Sequence, residues 1–215
     1  MPFDTLRAPL PVRRIACSLK SATVRTMPAM PVQSVLMTVD EFLEAEPHFE
    51  VKHEYLDGVI YERPEVNTRH CEIAANLIGT VGTRLRGRPC QPFGSDMKLR
   101  LQRGVSRYFY YPDAMIVCNR AGLGKSWCDQ PTVVFEILSE STRSTDEREK
   151  HAAYLAVPGL AAYVLIEQDT QRVTIEHRVD TGWTREVVEG ADAIVRLSAV
   201  DVEFPLSELY ERVGE

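Results

Sequence analysis

The chain has 215 residues, of which 44% are hydrophobic and 26% are charged, and it carries a formal net charge of -6 at pH 7. These values are ordinary for a folded domain and exclude collagen-like, fibrous and wholly disordered chains. The negative charge also argues against a protein that binds nucleic acid through a surface that is basic all over.

The length fits one core domain with extensions better than two full domains. The longest stretch without a formal charge, 152–166, is interrupted by Pro158 and Gly159. It falls short of the about 18 apolar residues that span a bilayer, so we expect no transmembrane helix. The five cysteines are odd in number and form no CxxC pair, which favours reduced thiols and a cytoplasmic protein.

Residues 1–36 differ in kind from the rest of the chain. They contain five prolines and five basic side chains against one aspartate, with no apolar period that could bury a face. We therefore predict a disordered basic extension at 1–36 and a folded domain at 37–215. Because Met27, Met30 and Met37 could each begin the chain, two alternatives are an over-called start and a targeting peptide.

The folded domain opens with a short helix and a hairpin. Thr38 and Glu41 form a capping box, which predicts a helix directly after Thr38. Residues 52–56 and 59–62 are predicted strands joined by a tight turn at Asp57-Gly58, because this dipeptide favours positive backbone angles.

A long helix and three strands follow. Apolar side chains at helical spacing predict the longest helix of the chain over 68–85. A half-exposed strand at 97–101 and two largely apolar strands at 113–118 and 132–138 are expected to form the middle of one sheet.

The last third of the domain adds helices and further strands. Ser144 and Glu147 form a second capping box, which predicts a helix that ends before Pro158. A final helix at 205–213 carries apolar side chains at helical spacing and should dock on the core. The remaining strands are predicted at 160–166, 172–178 and 183–188.

Two acidic residues do not suit their predicted strands. An unpaired ionised Glu136 within the apolar sequence 133–138 would cost roughly several kcal/mol before compensation. A divalent metal ion could supply the compensating charge, and so could a buried ion pair with Lys or Arg. Asp113 is a similar case, because it immediately precedes the apolar strand.

Neighbouring strands could bring Asp113 and Glu136 together. Two carboxylates within a few ångströms repel unless a cation or shared proton lies between them, so hard-metal binding is the simplest explanation. The alternative is that Asp113 is only a turn residue. Lys150 shares a helix face with Asp146 and Tyr154, and it either points toward the sheet or forms a surface ion pair with Asp146.

Several motifs follow one another in a recognisable order. They are Glu54-Tyr-Leu-Asp-Gly, Tyr111-Pro112-Asp113, Phe135-Glu136-Ile-Leu-Ser139-Glu-Ser141-Thr142, Asp146 with Lys150 and Tyr154, and Pro158-Gly159. Their order and spacing resemble the Uma family of proposed restriction endonucleases, within the PD-(D/E)XK nuclease superfamily. The resemblance covers about residues 38–210 and implies an α/β (α+β) fold, in which a mixed central sheet is flanked by helices.

The resemblance also implies a metal site and a reaction. Asp113 and Glu136 would be ligands of magnesium, or of manganese, with the backbone carbonyl of Ile137 as a third ligand. The reaction would be phosphodiester hydrolysis, in which a hard cation activates water and stabilises the developing charge. Glu54 matches an acid of the family that could join the metal shell directly or through water.

One departure from the family pattern concerns a lysine. It normally stands two residues after the second acid, where this chain has Leu138. In members in which the lysine has migrated to the following helix, Lys150 is the matching residue. A nuclease without a functional lysine would keep metal binding and lose much of its turnover.

A basic segment offers a path for nucleic acid. Between residues 80 and 107, seven basic side chains stand against one aspartate, which suggests a phosphate track. The aromatic residues at 108–111 either stack on bases or fill the core. The predicted nucleic-acid-binding residues are Arg84, Arg86, Arg88, Lys98 and Arg100.

We therefore expect a metal-dependent DNA endonuclease, and a homodimer because two active sites must address the two strands of a duplex. Two alternatives are open. The chain could be a catalytically inactive nuclease fold that binds nucleic acid or protein, which Leu138 and the overall acidity favour. It could also hydrolyse another phosphate-containing or small substrate, since a fold does not fix a function.

Overall fold

The computed structural model describes residues 36–139 and 150–215. The sequence-based predictions that fall outside these ranges are nearly all of the extension at 1–36, the capping box of Ser144 and Glu147, and Asp146. Within the described ranges, no helix is long and apolar enough to cross a membrane.

The first helix and the hairpin confirm their predictions. Helix α1 spans Val39–Ala45 and begins with the predicted capping box. Strands β1 (His53–Leu56) and β2 (Val59–Glu62) pair antiparallel. The turn between them holds Asp57 and Gly58 at positive φ, 48° and 102°, a conformation that glycine and aspartate adopt more readily than most residues.

Helix α2, at Thr68–Arg84, confirms the predicted long helix. It begins at Asn67, whose side chain accepts a hydrogen bond from the His70 amide at 3.0 Å. The side chains that the helix buries are His70, Ile73, Leu77 and Val81. Their three- and four-residue spacing places them on one face, which packs against the sheet.

The strands of the described residues form two mixed sheets and a C-terminal hairpin. Beyond β1 and β2, the strands are β3 (Gln91–Gly94), β4 (Lys98–Arg103), β5 (Ser106–Tyr110), β6 (Ala114–Val117), β7 (Trp127–Cys128), β8 (Val133–Leu138), β9 (Ala162–Glu167), β10 (Arg172–Val179), β11 (Gly182–Glu189), β12 (Ile194–Leu197) and β13 (Val202–Pro205). The other helices are α3 (His151–Leu155) and the 3₁₀ helices Glu46–His48, Arg120–Gly122, Ser198–Val200 and Leu206–Tyr210.

The larger sheet has six strands in the order β11-β10-β9-β8-β6-β3, and the smaller has five in the order β2-β1-β5-β4-β7. Neighbouring strands run antiparallel except in the pairs β8–β9 and β4–β7, which are parallel. Strand β12 pairs antiparallel with β13. Mixed sheets flanked by helices confirm the predicted fold class.

Apolar clusters hold these layers together. The cluster around Leu77 joins α2, the six-stranded sheet and the C-terminal hairpin. The cluster around Met115 joins the two sheets and α3. A third cluster, around Phe42, packs α1 against the five-stranded sheet. Strands β1 and β8 and helix α3 therefore all border the space between the two sheets.

One prediction about the sheets is wrong. The strand expected at 97–101 is β4, which lies in the five-stranded sheet rather than beside β6 and β8. It forms a tight hairpin with β5, in which Arg103 faces Ser106. No strand was predicted for the aromatic segment that forms β5, so the pairing of β4 with β5 was not predicted either. Lys98, expected to alternate outward, is buried.

The C-terminus also differs from its prediction. The helix expected at 205–213 is a shorter 3₁₀ helix at Leu206–Tyr210, directly after strand β13. The predicted docking is confirmed, because Leu206 and Leu209 are both buried in the main core. Helix α3 ends before Pro158, as the proline predicts.

Two cysteines form a disulfide bond, so the prediction of reduced thiols is wrong for this pair. Cys90 precedes β3 and Cys118 follows β6, and the register of these strands sets Gln91 opposite Val117. The two cysteines therefore lie opposite each other, one residue beyond the last pair of the two strands. Their separation of 28 residues in sequence does not indicate this pairing. Because disulfides persist in oxidising compartments, this pair removes the cysteine argument for a cytoplasmic location, which stays a prediction.

The packing of α2 can be tested by truncation. Leu77→Ala is expected to lower the free energy of unfolding by about 2–5 kcal/mol, because it leaves a cavity in a fully buried cluster. Ile78→Ala is the matched control and should cost clearly less, since Ile78 is only partly buried. Urea denaturation followed by circular dichroism measures both variants. Equal losses would contradict the packing of α2.

Candidate active site

Strand β8 directs Glu136 into the space between the two sheets. Side chains alternate along a strand, and Phe135 and Ile137 belong to the core under α2. Val134 and Leu138 belong to the core between the sheets. Glu136 lies on the side of Val134 and Leu138, and it is 2% exposed. The apolar strand predicted from the sequence thus does bury a carboxylate.

Asp113 stands at a neighbouring position on the adjoining strand. It immediately precedes β6, in which Ala114 faces Phe135 of β8. Its Oδ2 accepts a hydrogen bond from the Ile137 amide at 2.8 Å. Asp113 is 5% exposed, so it is not an ordinary turn residue at the surface.

Two further side chains hold the other oxygen of Asp113. The Arg63 guanidinium lies 2.5 Å from Oδ1, and Nε2 of His70 lies 3.0 Å from the same atom. Nδ1 of His70 has no hydrogen-bond partner within the described residues. A carboxylate that accepts a main-chain amide, an imidazole and a guanidinium is held in one orientation.

Lys150 reaches the carboxylates from the opposite side. Its ammonium lies 2.9 Å from Oε1 of Glu54 and 3.8 Å from Oε1 of Glu136. One turn later, the Tyr154 hydroxyl donates a hydrogen bond to the same Glu136 oxygen at 2.8 Å. The Lys150 side chain is only 8% exposed and points toward the sheet. The alternative pair with Asp146 involves a residue outside the described ranges.

Glu54 completes the group from strand β1. It lies on the same side of the strand as Leu56, which packs against the core between the sheets. Its Oε1 also accepts the Tyr111 amide at 3.4 Å. The hairpin therefore brings a third acid close to Lys150, at the position that matches an acid of the family.

The electrostatics of the site favour the charged forms of Asp113 and Arg63 and the neutral form of Tyr154. Burial disfavours the charge of Asp113, but the hydrogen bond from His70 and the Arg63 charge outweigh it and lower its pKa. Burial likewise opposes the charge of Arg63, yet the nearby carboxylates, led by Asp113, raise its pKa. Burial and the charges of Glu136 and Glu54 raise the pKa of Tyr154 well above its ordinary value, so its hydroxyl stays a donor.

Arg63 and His70 are the site residues that the sequence analysis missed. His70 did leave a signal, because it precedes Ile73 and Leu77 at the spacing of the buried face of α2. A polar side chain on such a face needs a buried partner. Arg63 left no signal of its own, since it lies in the loop after β2 and its contact with Asp113 spans 50 residues.

The donors suit a hard cation in type but are already engaged. The three acids Glu54, Asp113 and Glu136 stand against the two fixed cations Arg63 and Lys150, so this group has a formal excess of one negative charge. Carboxylate oxygens are the ligands that magnesium prefers. In the part of the chain that the structure describes, no three histidine, cysteine or acidic side chains are grouped to hold a metal ion. A cation would therefore need main-chain oxygen as well as carboxylates, which is the ligand set that the family resemblance implies.

The residues of the predicted phosphate track lie in two parts of the chain, around the end of α2 and on β4, and four of the five contact other side chains or carbonyls of the protein. Arg84 donates hydrogen bonds to the Glu203 carbonyl and the Glu208 carboxylate, and Arg88 donates to the carbonyl of Asp201. These two arginines join the end of α2 to the C-terminal segment. Arg86 is exposed between them.

The other two predicted contacts lie on β4. Lys98 is buried beside the Tyr111 ring, 5.1 Å from its centroid, and burial lowers its pKa. Arg100 stacks on Trp127 at 3.5 Å and lies 2.6 Å from an Asp129 oxygen. Of the aromatic residues at 108–111, three are buried and Tyr108 is half-buried, so most of this segment fills the core.

The mixed sheets and their flanking helices are those of a nuclease-like fold, as a comparison with a solved structure shows. A crystal structure from Anabaena variabilis, described as "a putative nuclease belonging to DUF820", superposes with a TM-score of 0.62 at 22% identity. The match covers 81% of this chain and 98% of that one. The Uma2 family model, described as "Putative restriction endonuclease", matches residues 39–207, and the chain belongs to this family.

Two relatives in Synechocystis sp. extend the comparison. The uncharacterized proteins slr1290 and sll1609 are each 26% identical to this chain, over 176 and 171 residues. The matches cover 81% and 78% of this chain and 91% and 96% of the relatives. Family membership supports a nuclease function in general terms, with hydrolysis of nucleic acid as the reaction class.

The role of Lys150 in the site can be tested through stability. Lys150→Met is expected to lower the free energy of unfolding by about 3–5 kcal/mol in EDTA, because it leaves buried carboxylates without their shared cation. Adding Glu54→Gln should recover part of the loss by removing one of those charges. Urea denaturation measures both. A loss no larger than that of Lys125→Met, at an exposed lysine, would contradict the arrangement.

Proposed function

We propose that the protein is a metal-dependent endonuclease that hydrolyses phosphodiester bonds in DNA. The observation that carries the proposal is that Lys150 lies between Glu54 and Glu136, while Asp113 accepts the amide of Ile137, the residue after Glu136. All four side chains are at most 12% exposed. Four segments that are far apart in sequence bring these groups together. A purely structural ion pair would need only two of them, whereas phosphoryl transfer needs acids for a cation and a fixed positive charge for the transition state.

Within this proposal, Asp113 and Glu136 hold the metal ion, and the backbone carbonyl of Ile137 is the third ligand. Bound magnesium, or manganese in its place, would polarise the scissile phosphate and lower the pKa of an attacking water. The chain fixes these ligands through other residues. The Ile137 amide orients Asp113, and the Tyr154 hydroxyl orients Glu136.

Lys150 takes the part of the superfamily lysine. Its ammonium lies beside Glu136, where it can orient the nucleophilic water and stabilise charge on the phosphate. Glu54, at 2.9 Å from the same ammonium, holds the lysine in position. The metal-shell role that the family resemblance implies for Glu54 would require this contact to loosen.

A second candidate function rests on a different observation. Arg63 and His70 both contact Oδ1 of Asp113, and the Ile137 amide contacts Oδ2. An aspartate with these partners is fully neutralised without a metal ion. This favours a catalytically inactive nuclease fold that binds nucleic acid or protein, as Leu138 also does.

Metal-dependent cleavage separates the two functions. With magnesium or manganese, the wild-type protein should nick supercoiled plasmid, and Glu136→Gln, Asp113→Asn and Lys150→Met should each reduce the rate by about a hundredfold or more. Each variant removes a ligand or the fixed positive charge. Agarose-gel assays of nicking, run beside calorimetric titration of magnesium, measure both steps.

The control for these variants is Glu186→Gln, which changes an exposed acid on β11 far from the site in sequence. It should nick plasmid at the wild-type rate. Magnesium binding that survives Asp113→Asn combined with Glu136→Gln would contradict the ligand assignment. A wild-type protein that binds DNA and never cleaves it would favour the inactive binding module instead.

A homodimer belongs to the same proposal, because double-strand cleavage requires one active site for each strand. Gel filtration with light scattering gives the mass of the full chain in solution. Twice the monomer mass of 24.3 kDa is expected. A monomer that still linearises plasmid in one encounter would contradict this part of the proposal.

A further inference from the structure

A cavity of about 520 Å³ lies beside the candidate active site. One wall consists of the small side chains Ala152, Ala153 and Ala156, in α3 and directly after it. Tyr108 and Tyr110 of β5 also line the cavity. Its volume is typical of pockets that hold small organic groups.

Tyr110 connects this cavity to the candidate active site. The Lys150 ammonium lies 5.9 Å from the centroid of the Tyr110 ring. The Tyr154 ring meets Tyr110 edge-on at 5.7 Å, and its hydroxyl donates to Glu136. A group bound against Tyr110 would therefore be separated from the acids and the lysine by little more than one aromatic ring.

The lining combines flat surfaces with groups that can form hydrogen bonds. The Tyr108 and Tyr110 rings are parallel, with an interplanar angle of 3° and centroids 6.4 Å apart. The exposed amide side chains of Gln102 and Gln130 stand at the same cavity. Tyr110 is only 4% exposed, so the half-buried Tyr108 is the ring on which a base can stack. An aromatic face for stacking and amides for the polar edge are what proteins use to bind a nucleobase.

The cavity also offers positive charge for the phosphate that accompanies a base. Arg100 is held in place by Asp129 and by stacking on Trp127. Arg103, at the end of β4, is exposed. Asp129 also lines the cavity and offsets the charge of Arg100, so the net positive charge of the lining is that of Arg103. Guanidinium groups bind phosphate oxygens through planar, bidentate hydrogen bonds, which suits Arg103 to a phosphate beside the base.

We propose that this cavity binds an unpaired nucleobase next to the scissile phosphate. The substrate class is then nucleic acid that is unpaired at the cleavage position, which includes a locally opened duplex and so agrees with the proposed dimer. This inference rests on the proposed nuclease function and specifies its substrate. A base in a duplex would have to leave its stack and its partner to enter, which is unfavourable, whereas an unpaired base avoids most of that cost.

The test compares the binding of one short fluorescein-labelled oligonucleotide as a single strand and as a duplex. Fluorescence anisotropy is measured in EDTA with the full chain, so that metal-dependent cleavage does not interfere. The wild-type protein should bind the single strand more tightly. Tyr108→Ala should weaken single-strand binding by about five- to a hundredfold and leave duplex binding nearly unchanged. Tyr108→Phe keeps the ring and should bind like the wild type.

A second variant acts on the opposite wall. Ala153→Leu narrows the cavity and leaves Tyr108 in place, so it should also weaken single-strand binding. If Tyr108→Ala does not fold, the single-strand binding of Ala153→Leu is the test of the inference. Arg212→Gln, at an exposed position near the C-terminus, is the control and should change nothing. Equal affinity for the two forms of the oligonucleotide, or single-strand binding unaffected by both cavity variants, would overturn the inference.

Plasmid nicking measured on the same samples separates this inference from the proposed function. Cleavage without a single-strand preference would remove the cavity inference alone. Single-strand binding that depends on Tyr108 and Ala153, without any cleavage, would remove the nuclease function and keep the cavity as a binding site.

Discussion

Buried carboxylates at close quarters require fixed positive charge, and the core of this protein is arranged around that requirement. Glu54, Asp113 and Glu136 are all largely withdrawn from water, where each charge would otherwise cost several kcal/mol, roughly. Arg63 and Lys150 provide the compensation from the loop after β2 and the start of α3. Because these five residues lie on separate segments, the site exists only when the two sheets face each other.

The two halves of the site differ in how they are compensated. Asp113 is fixed from three directions, by a main-chain amide, an imidazole and a guanidinium. Glu136 has the Tyr154 hydroxyl, and the Lys150 ammonium is farther away, at 3.8 Å. A guanidinium and a divalent cation compete for the same carboxylate oxygens, so a metal ion at Asp113 would have to bind against the charge of Arg63. Arg63 therefore bears more directly on cation binding at Asp113 than Leu138 does, because it contacts that carboxylate.

The sequence predicted the features that arise from short-range chemistry. The capping box at Thr38, the turn at Asp57-Gly58 and the long helix all depend on residues within a few positions of one another. Glu136 was recognisable because a carboxylate inside an apolar strand conflicts with its surroundings. The sheet to which β4 belongs, the Cys90–Cys118 pair and the contact of Arg63 with Asp113 could not be predicted, since they depend on strand register and on contacts distant in sequence.

The replacement of the expected lysine by Leu138 has a consistent physical account. Leu138 lies two residues after Glu136, on the same side of β8, and it is 2% exposed in the core between the sheets. A lysine there would sit among apolar side chains and would need its own partner. Lys150 brings an ammonium to the same side of Glu136 from across the gap, with Glu54 to hold it. Position 138 on the strand can therefore hold an apolar side chain that packs in the core, while Lys150 supplies the positive charge beside Glu136.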